Sequence, residues 1–466
     1  MVIAQTNANE TEASPMRTSV VQQPPLVSPV VDHPRAGELE RMSRALDSLG
    51  HAPVEFVWEN LTRGLRSPHK GRKGLGAEQL LRAAIIKLLF GFSYEQLAFH
   101  LADSLTFRRF CRLGLHEKPK KKALQQGIKR IHPETLESIN DLLLGLALDR
   151  GIDDGRTLRT DCTVEETNIH DPSDSSLLWD CVRVLSRLLH DAKELAPVSF
   201  SDHTKRAKRR HVKIQYAGTN AKRKAPYFDL LKVTRKTMDY ATTAAAVLDG
   251  FKGNLVDEAR AQALAAEMRH YIALASDVIH QTERRVIHGE KLKADEKIVS
   301  IFEPHTDIII KDRRDVKYGH KLCLTTGTSG MVFDCMVLEG NPADSQIAVE
   351  AIERVAGKTG MVPHNVAFDG GFASRENLRA LKDDLQVRNV AFKKKGGLKV
   401  ADMTENSIVY RSLVNFRAGI EAGISFLKRC FGLGRCTWRG WDSFRSYTWA
   451  SILSANLLIF ARLQPG

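Results

Sequence analysis

The sequence predicts an α/β protein whose central sheet is divided by a helical insertion and preceded by an all-α N-terminal domain. Between residues 37 and 151, apolar side chains recur at the three- and four-residue spacing of helices. A strand-like alternation appears at 158–169 and returns only after residue 298, where strands and helices then alternate. The intervening residues 175–292 have helical spacing. Mixed strands followed by alternating strands and helices are typical of one sheet covered by helices, which predicts a second domain at 152–466.

The bulk composition favours a nucleic-acid partner. The 466 residues carry 69 Lys and Arg against 55 Asp and Glu, a formal net charge of +14 that biases the partner toward a polyanion. Seven dispersed cysteines without a CxxC pair argue against a disulfide framework and a structural zinc site. The N-terminus has no apolar signal core, and the apolar stretch at 447–463 contains Ser, Asn and Arg, which predicts a buried helix. We therefore expect a cytoplasmic protein.

The first part of the chain combines a leader with a basic helical module. Residues 1–36 are rich in Pro, Ser, Thr, Val and Gln and lack periodicity, which predicts disorder. Residues 77–90 have an amphipathic repeat, and Ser93 with Gln96 has the spacing of a capping box. Short helices with exposed cations suit a DNA-binding helix-turn-helix-like module, and a plain helical bundle explains them equally well. The candidate DNA-binding residues here are Arg108, Arg109, Arg112, Lys120, Lys121 and Lys122.

A second basic segment lies inside the predicted insertion. Residues 203–224 contain nine Lys and Arg side chains and no acidic residue. A solvated face is the usual interpretation of such a run, and a surface that follows DNA phosphates is the alternative. The candidate DNA-binding residues here are Arg209, Arg210, Lys222, Arg223 and Lys224.

After the insertion, short runs rich in Val, Ile, Thr and Phe predict strands, and longer periodic runs predict helices. The predicted strands are 298–302, 307–311, 320–326, 331–339, 362–368 and 387–392, with a hairpin turn at 328–330. The predicted helices start at about 340, 375 and 413 and end at about 356, 384 and 432.

Three acidic residues stand where the local pattern does not favour an acid. Asp161 lies within the first predicted strand, where β propensity and burial both disfavour a carboxylate. Asp369 follows a predicted strand and precedes two glycines, at the sheet edge where ligands of α/β proteins collect. Glu421 lies between Gly419 and Gly423 in a helix. Each glycine costs a helix about 1 kcal/mol relative to Ala, so the pair suggests close approach to another backbone.

Together these carboxylates can hold two divalent cations. Oxygen ligands suit Mg²⁺ or Mn²⁺, and a two-metal site can support in-line displacement at a phosphodiester. Arg417 and Lys428 share a helix face with Glu421, four residues before it and seven after it. An ordinary ion-pair ladder explains this spacing, as does a functional set in which Arg417 orients the carboxylate and Lys428 contacts a DNA phosphate.

Several segments, in order along the chain, resemble bacterial insertion-sequence transposases of the DDE class. Arg417, Glu421 and Lys428 match the R-x3-E-x6-K signature of that family. The turn at Asp369-Gly370-Gly371-Phe372 is similar to its second-aspartate motif, and Thr160-Asp161-Cys162-Thr163 is similar to its first. Together with the segments that begin at Arg314, Gly340 and Cys436, these motifs most resemble the ISNCY-type group.

The resemblance covers about residue 75 to the C-terminus and implies a ribonuclease-H-like core with two Mg²⁺ ions, which Mn²⁺ can replace. It implies cutting and strand transfer at transposon ends by a homo-oligomer on double-stranded DNA, namely terminal inverted repeats and target DNA, in the nucleoid. Arg435 and Arg439 flank Trp438, which either stacks on an unpaired base near the cut or packs in the core. The implied site residues are the metal ligands Asp161, Asp369 and Glu421 and the assisting residues Arg417 and Lys428.

The sequence also allows other functions. A transposase-derived DNA-binding protein that no longer cuts would keep the same motifs, while another metal-dependent nuclease or a glycosidase would use its paired carboxylates for different chemistry. Within the site, Glu165 and Glu166 are close enough in sequence to compete with Asp161 for its role.

Overall fold

Seven helices precede the first strand in the described residues. A computed structural model describes residues 31, 33–66, 74–114, 116–311, 315–393 and 397–464, so most of the leader expected to be disordered lies outside the described residues. The last three residues of that leader, 34–36, are helical, and disorder is the wrong prediction for them. The seven are α1 (Pro34–Ser48), α2 (Ala52–Thr62), α3 (Ala77–Leu89), α4 (Tyr94–Asp103), α5 (Leu105–Phe110), α6 (Lys121–Ile128) and α7 (Pro133–Asp149).

Helix α3 is buried on nearly all of its faces, whereas its repeat predicted one apolar side. Even Arg82 is buried, because Asp47 and Glu78 accept hydrogen bonds from its guanidinium at 2.6 and 2.9 Å. At the start of α4, Ser93 and Gln96 exchange the two hydrogen bonds of the predicted capping box.

The central sheet is mixed and has six strands within the described ranges. The three strands β1, β5 and β6 run parallel, and β3 is antiparallel to both β2 and β4. The order is β2-β3-β1-β5-β6, with β4 also paired to β3, so the predicted hairpin at 328–330 is confirmed. The strands are β1 (Thr157–Glu166), β2 (Asp307–Lys311), β3 (Asp315–Thr326), β4 (Val332–Leu338), β5 (Asn365–Phe368) and β6 (Asn389–Phe392).

Residues 298–302 form no strand, and that prediction was wrong. Ile301 is buried among helices, but the backbone of this segment bonds to side chains rather than to a neighbouring strand. The N–H of Ile298 donates to Gln281 at 2.8 Å, and the Ser300 hydroxyl accepts from the N–H groups of Phe302 and Glu303. Local side-chain bonds of this kind compete with strand pairing.

The chain divides into two compact units, one formed by residues 1–166 and 321–466 and the other by residues 167–320. In the second unit the helices bury a core of their own, which includes Leu185, Leu230 and Met268. These helices are α8 (Asp174–Leu195), α9 (Thr204–Gln215), α10 (Asn220–Asp249) and α11 (Leu255–Thr282).

In the first unit the N-terminal helices and the sheet share one hydrophobic core. The helices that follow β4 are α12 (Asp344–Thr359), α13 (Arg375–Arg379), α14 (Val400–Met403), α15 (Ser407–Cys430) and α16 (Trp441–Leu463). Helix α16 packs against α1, α3 and α7, which confirms the buried helix predicted at 447–463. Among the described residues, we find no helix with the length and apolar character to cross a membrane.

Candidate active site

Strand pairing brings the two aspartates together. Strands β1 and β5 are parallel neighbours with Thr160 opposite Phe368, and the residue that follows each of these two along the chain is an aspartate. Asp161 is largely buried, and the N–H of Cys162 donates to its Oδ1 at 2.8 Å. Asp369 is the first residue after β5 and is 38% exposed, because the chain turns away through a short 3₁₀ segment.

Helix α15 brings Arg417 and Glu421 to the same place. The Arg417 guanidinium donates to Asp161 at 2.6 Å and to Glu421 at 2.9 Å, and it lies 3.8 Å from Asp369. Arg417 is 5% exposed, whereas Glu421 is 65% exposed. The contacts of Arg417 therefore extend beyond its own helix, and an ion-pair ladder along α15 does not account for them.

Burial dominates the electrostatics of Asp161. Loss of solvent raises the pKa of its carboxyl, and the negative charges of Asp369 and Asp344 raise it further. Arg417 and the N–H of Cys162 act in the opposite direction without cancelling the effect. The cluster thus has more negative charge than Arg417 alone can balance.

The two other acids of strand β1 lie elsewhere. Glu165 is fully buried, accepts a hydrogen bond from Thr448 at 2.7 Å, and has a pKa raised well above its usual value by burial. The backbone of Glu166 pairs with Gly434 and Cys436. Asp161 is the acid of this strand that contacts Arg417. The positive charge of Lys428 acts on Glu165 and lowers the pKa of that carboxyl, but by less than burial raises it.

Asp344 is a neighbour of the site that sequence reasoning missed. It begins helix α12, its charge raises the pKa of Asp161, and Lys321 lies 2.5 Å from its Oδ1. A β-carbon at Gly371 would press against the same carboxylate, so the double-glycine turn after Asp369 makes room for it. The available signal was its position at the start of a predicted helix, in the family-like segment that begins at Gly340.

The carboxylates of this site are chemically suited to bind a hard divalent cation. In this structure, however, they surround the guanidinium of Arg417. Within the described residues, no three His, Cys, Asp or Glu side chains are grouped so as to hold a metal ion. All candidate ligands are carboxylate oxygens, which suit Mg²⁺ and Mn²⁺. The excess negative charge and the exposed Glu421 side chain are consistent with such an ion.

The predicted DNA-binding residues differ in their surroundings. Arg108 is buried and donates to the carbonyls of Leu101, Gly114 and Glu117, so it holds a turn together and is not accessible to DNA. Arg112 contacts Asp47 at 2.7 Å. Arg109 is half-buried and lies 3.4 Å from Glu40. The exposed candidates are Lys120, Lys121, Lys122, Arg209, Lys222, Lys224, Arg435 and Arg439.

The basic run at 203–224 has a counter-charge that its sequence did not reveal. Asp229, in the third turn of α10, lies 2.5 Å from both Arg206 and Arg210. These two arginines lower its pKa to about 2. Arg223 is half-buried and donates to the carbonyl of Ala217. The run therefore exposes less net positive charge than its nine Lys and Arg side chains suggest.

Two family models match the chain. The one described as Transposase DDE domain matches residues 292–457, a range that includes Asp369, Arg417 and Glu421. The one described as Transposase domain (DUF772) matches residues 32–129. Asp161 lies between the two matched ranges. No curated protein and no solved structure matches the chain.

The raised pKa of Asp161 has a consequence for stability. Folding favours its protonated form, so the stability linked to this group is fully present below about pH 3.9, the ordinary value, and is lost as the pH rises through the higher folded value. We expect the melting temperature of the wild type, relative to that of Asp161→Asn at the same pH and without added metal, to rise as the pH falls from 7. A difference that does not change with pH would show that attraction by Arg417 cancels the effect of burial, and the opposite trend would show that it outweighs burial.

Proposed function

Since the chain belongs to the DDE transposases of insertion sequences, we propose that Asp161, Asp369 and Glu421 hold the divalent metal on which this class of enzyme depends. The activity is metal-dependent cleavage of DNA strands and their transfer. We place the chain in the ISNCY-type group and assign it two Mg²⁺ ions, which Mn²⁺ can replace. The convergence of the three carboxylates on Arg417 is the observation that carries this assignment.

Each residue of the cluster contributes differently to the reaction. Bound divalent metal supplies Lewis-acid stabilisation of the phosphodiester and lowers the pKa of the attacking hydroxyl. Asp161 is the fixed ligand, because its strand is central and the Cys162 N–H orients one carboxylate oxygen. Asp369 and Glu421 are more exposed and are therefore accessible to the substrate. Arg417 orients the carboxylates and offsets part of their charge, and Lys428 contacts a DNA phosphate near the cut.

Exposed cations in both units bind the DNA backbone in this proposal. The helices within 37–151 form the DNA-binding domain, with Arg109, Arg112 and Lys120–Lys122 as phosphate contacts. The insertion at 175–292 adds a second surface, whose candidates are Arg209, Lys222 and Lys224, with Arg210 and Arg223 beside them. Arg435 and Arg439 contact DNA near the cut. We omit Arg108 because it is buried.

The substrate of this proposal is double-stranded DNA with terminal inverted repeats, together with target DNA. Two ends must be cut and joined in one reaction, so we propose that the enzyme acts as a homo-oligomer on DNA, in the cytoplasm and associated with the nucleoid. The net charge of +14 is consistent with this partner.

Asp369→Asn should abolish metal-dependent nicking of DNA that contains the transposon ends while leaving DNA binding intact, because the amide has the same shape and lacks the ligand charge. Nicking can be followed on supercoiled plasmid, and binding by a mobility shift in EDTA. Asp383→Asn is the matched control, since this aspartate is 68% exposed and pairs only loosely with Arg379. Nicking that survives in Asp369→Asn would contradict the assignment of the metal ligands.

Replacing Lys222 and Lys224 with alanine should weaken binding to DNA of any sequence. The slope of log affinity against log salt should become shallower by about 0.9 for each phosphate that these side chains no longer neutralise. Lys252→Ala is the control, because it is exposed and lies beyond the far end of α10, which is about 40 Å from Lys222 and Lys224 along the helix at 1.5 Å per residue. An unchanged slope would show that this surface is only solvated.

A further inference from the structure

Arg159 connects strand β1 to helix α15 beside the carboxylates. Its Nη1 donates to the carbonyl of Phe416 at 2.8 Å, and its guanidinium carbon lies 4.6 Å from the centroid of the Phe416 ring. Its Nε donates to the Thr326 hydroxyl on β3 at 3.0 Å. The side chain is thereby held between two strands and a helix. A planar fork of donors can make all these contacts at once, which a lysine cannot.

Gly419 makes this contact possible. A β-carbon at position 419 would overlap Nη1 of Arg159, whereas a β-carbon at Gly423 would meet nothing within 4 Å. Both glycines lie in α15, two residues before and two residues after Glu421. Glycine weakens a helix at either position, so packing against Arg159 explains Gly419 and does not explain Gly423. The close approach expected at Gly419 is to a side chain and not to another backbone.

The residues that make these contacts lie next to the site residues along both strand β1 and helix α15. Arg159 lies two residues before Asp161, so the two side chains leave the same face of β1. On the helix, Phe416 directly precedes Arg417. A movement of α15 that breaks the bond to Phe416 therefore also moves Arg417 and Glu421 away from Asp161.

We propose that Arg159 is a positioning residue, which sets the separation between helix α15 and strand β1 that metal binding requires. This inference rests on the proposed function of Asp161, Asp369 and Glu421. Arg159 acts on the site through Phe416, whose carbonyl and ring it contacts, and through the space above Gly419. A merely structural role would change the stability of the fold and leave the metal affinity of the folded protein unchanged.

The two glycines allow a matched comparison in the full-length protein. In Gly419→Ala the new methyl group displaces the guanidinium, and Mn²⁺ affinity should fall by about 10–100-fold, as it does when residues that orient metal ligands are changed. In Gly423→Ala the affinity should stay unchanged and the melting temperature should rise, since alanine is the better helix former. Free Mn²⁺ measured by electron paramagnetic resonance gives the affinity without any reliance on activity, and nicking is measured in parallel. Equal Mn²⁺ affinities in the two variants would overturn the proposal.

A double substitution tests whether Arg159 is the cause. In an Arg159→Ala background the space beside position 419 is open, so adding Gly419→Ala should lower Mn²⁺ affinity no further. Arg159→Lys keeps the charge but loses the planar fork of donors, so its Mn²⁺ affinity should fall between those of the wild type and Arg159→Ala. This variant replaces Arg159→Ala in the test if the alanine variants do not fold. Effects of the two substitutions that multiply would contradict the proposal.

Asp369→Asn, measured in the same titration, separates this inference from the proposed function. If Asp369→Asn loses Mn²⁺ binding while Gly419→Ala and Gly423→Ala behave alike, the metal site stands and the positioning role fails. If Asp369→Asn binds Mn²⁺ as the wild type does, the metal site itself is wrong.

Discussion

Carboxylates that share a partly buried site repel one another, and in this protein the guanidinium of Arg417 offsets that repulsion. It lies 2.6 Å from Asp161, 2.9 Å from Glu421 and 3.8 Å from Asp369. An isolated charge in such a place is expensive, and a paired one is tolerated. The arrangement is still not fully satisfied, because Nε of Arg417 is buried without a hydrogen-bond partner in the described residues and burial raises the pKa of Asp161. When ionised, three carboxylates around one guanidinium leave a net negative charge, which is suited to accept a divalent cation.

The rest of the first unit positions the members of this cluster. Parallel pairing of β1 and β5 places the residues that follow Thr160 and Phe368 side by side, and these are the two aspartates. Helix α15 packs on β1, β5 and β6 and supplies both Arg417 and Glu421 from one face. Under the proposed function, transposition chemistry therefore depends on strand register and on the placement of one helix. The second unit, with its own core, carries basic helices and none of the three carboxylates.

The sequence predicted the local features of this arrangement well. The capping box at Ser93, the hairpin at 328–330 and the buried C-terminal helix each depend on nearby residues, and the structure has all three. Motif spacing also identified Arg417 and Glu421, which lie on one helix turn and contact each other. The sequence favoured Asp161 over Glu165 as the site residue, and Asp161 is the one that contacts Arg417.

Features that depend on particular hydrogen bonds and ion pairs of single side chains were missed. Arg108 has the pattern of a surface cation, but three carbonyls around it bind its guanidinium. The strand predicted at 298–302 has apolar residues of the right kind, yet its backbone bonds to Gln281 and Ser300. Two further contacts join residues of different elements. Asp229 pairs with Arg206 and Arg210, and Arg159 lies against Gly419. No local pattern contains that information.

Anomalous diffraction from crystals soaked in Mn²⁺ shows directly whether the carboxylates around Arg417 bind metal. We predict an anomalous peak ligated by Asp161, Asp369 and Glu421, with the bond between Arg417 and Asp161 lengthened or broken. A peak ligated by other residues, with Arg417 still bound to Asp161, would contradict this assignment of the active site.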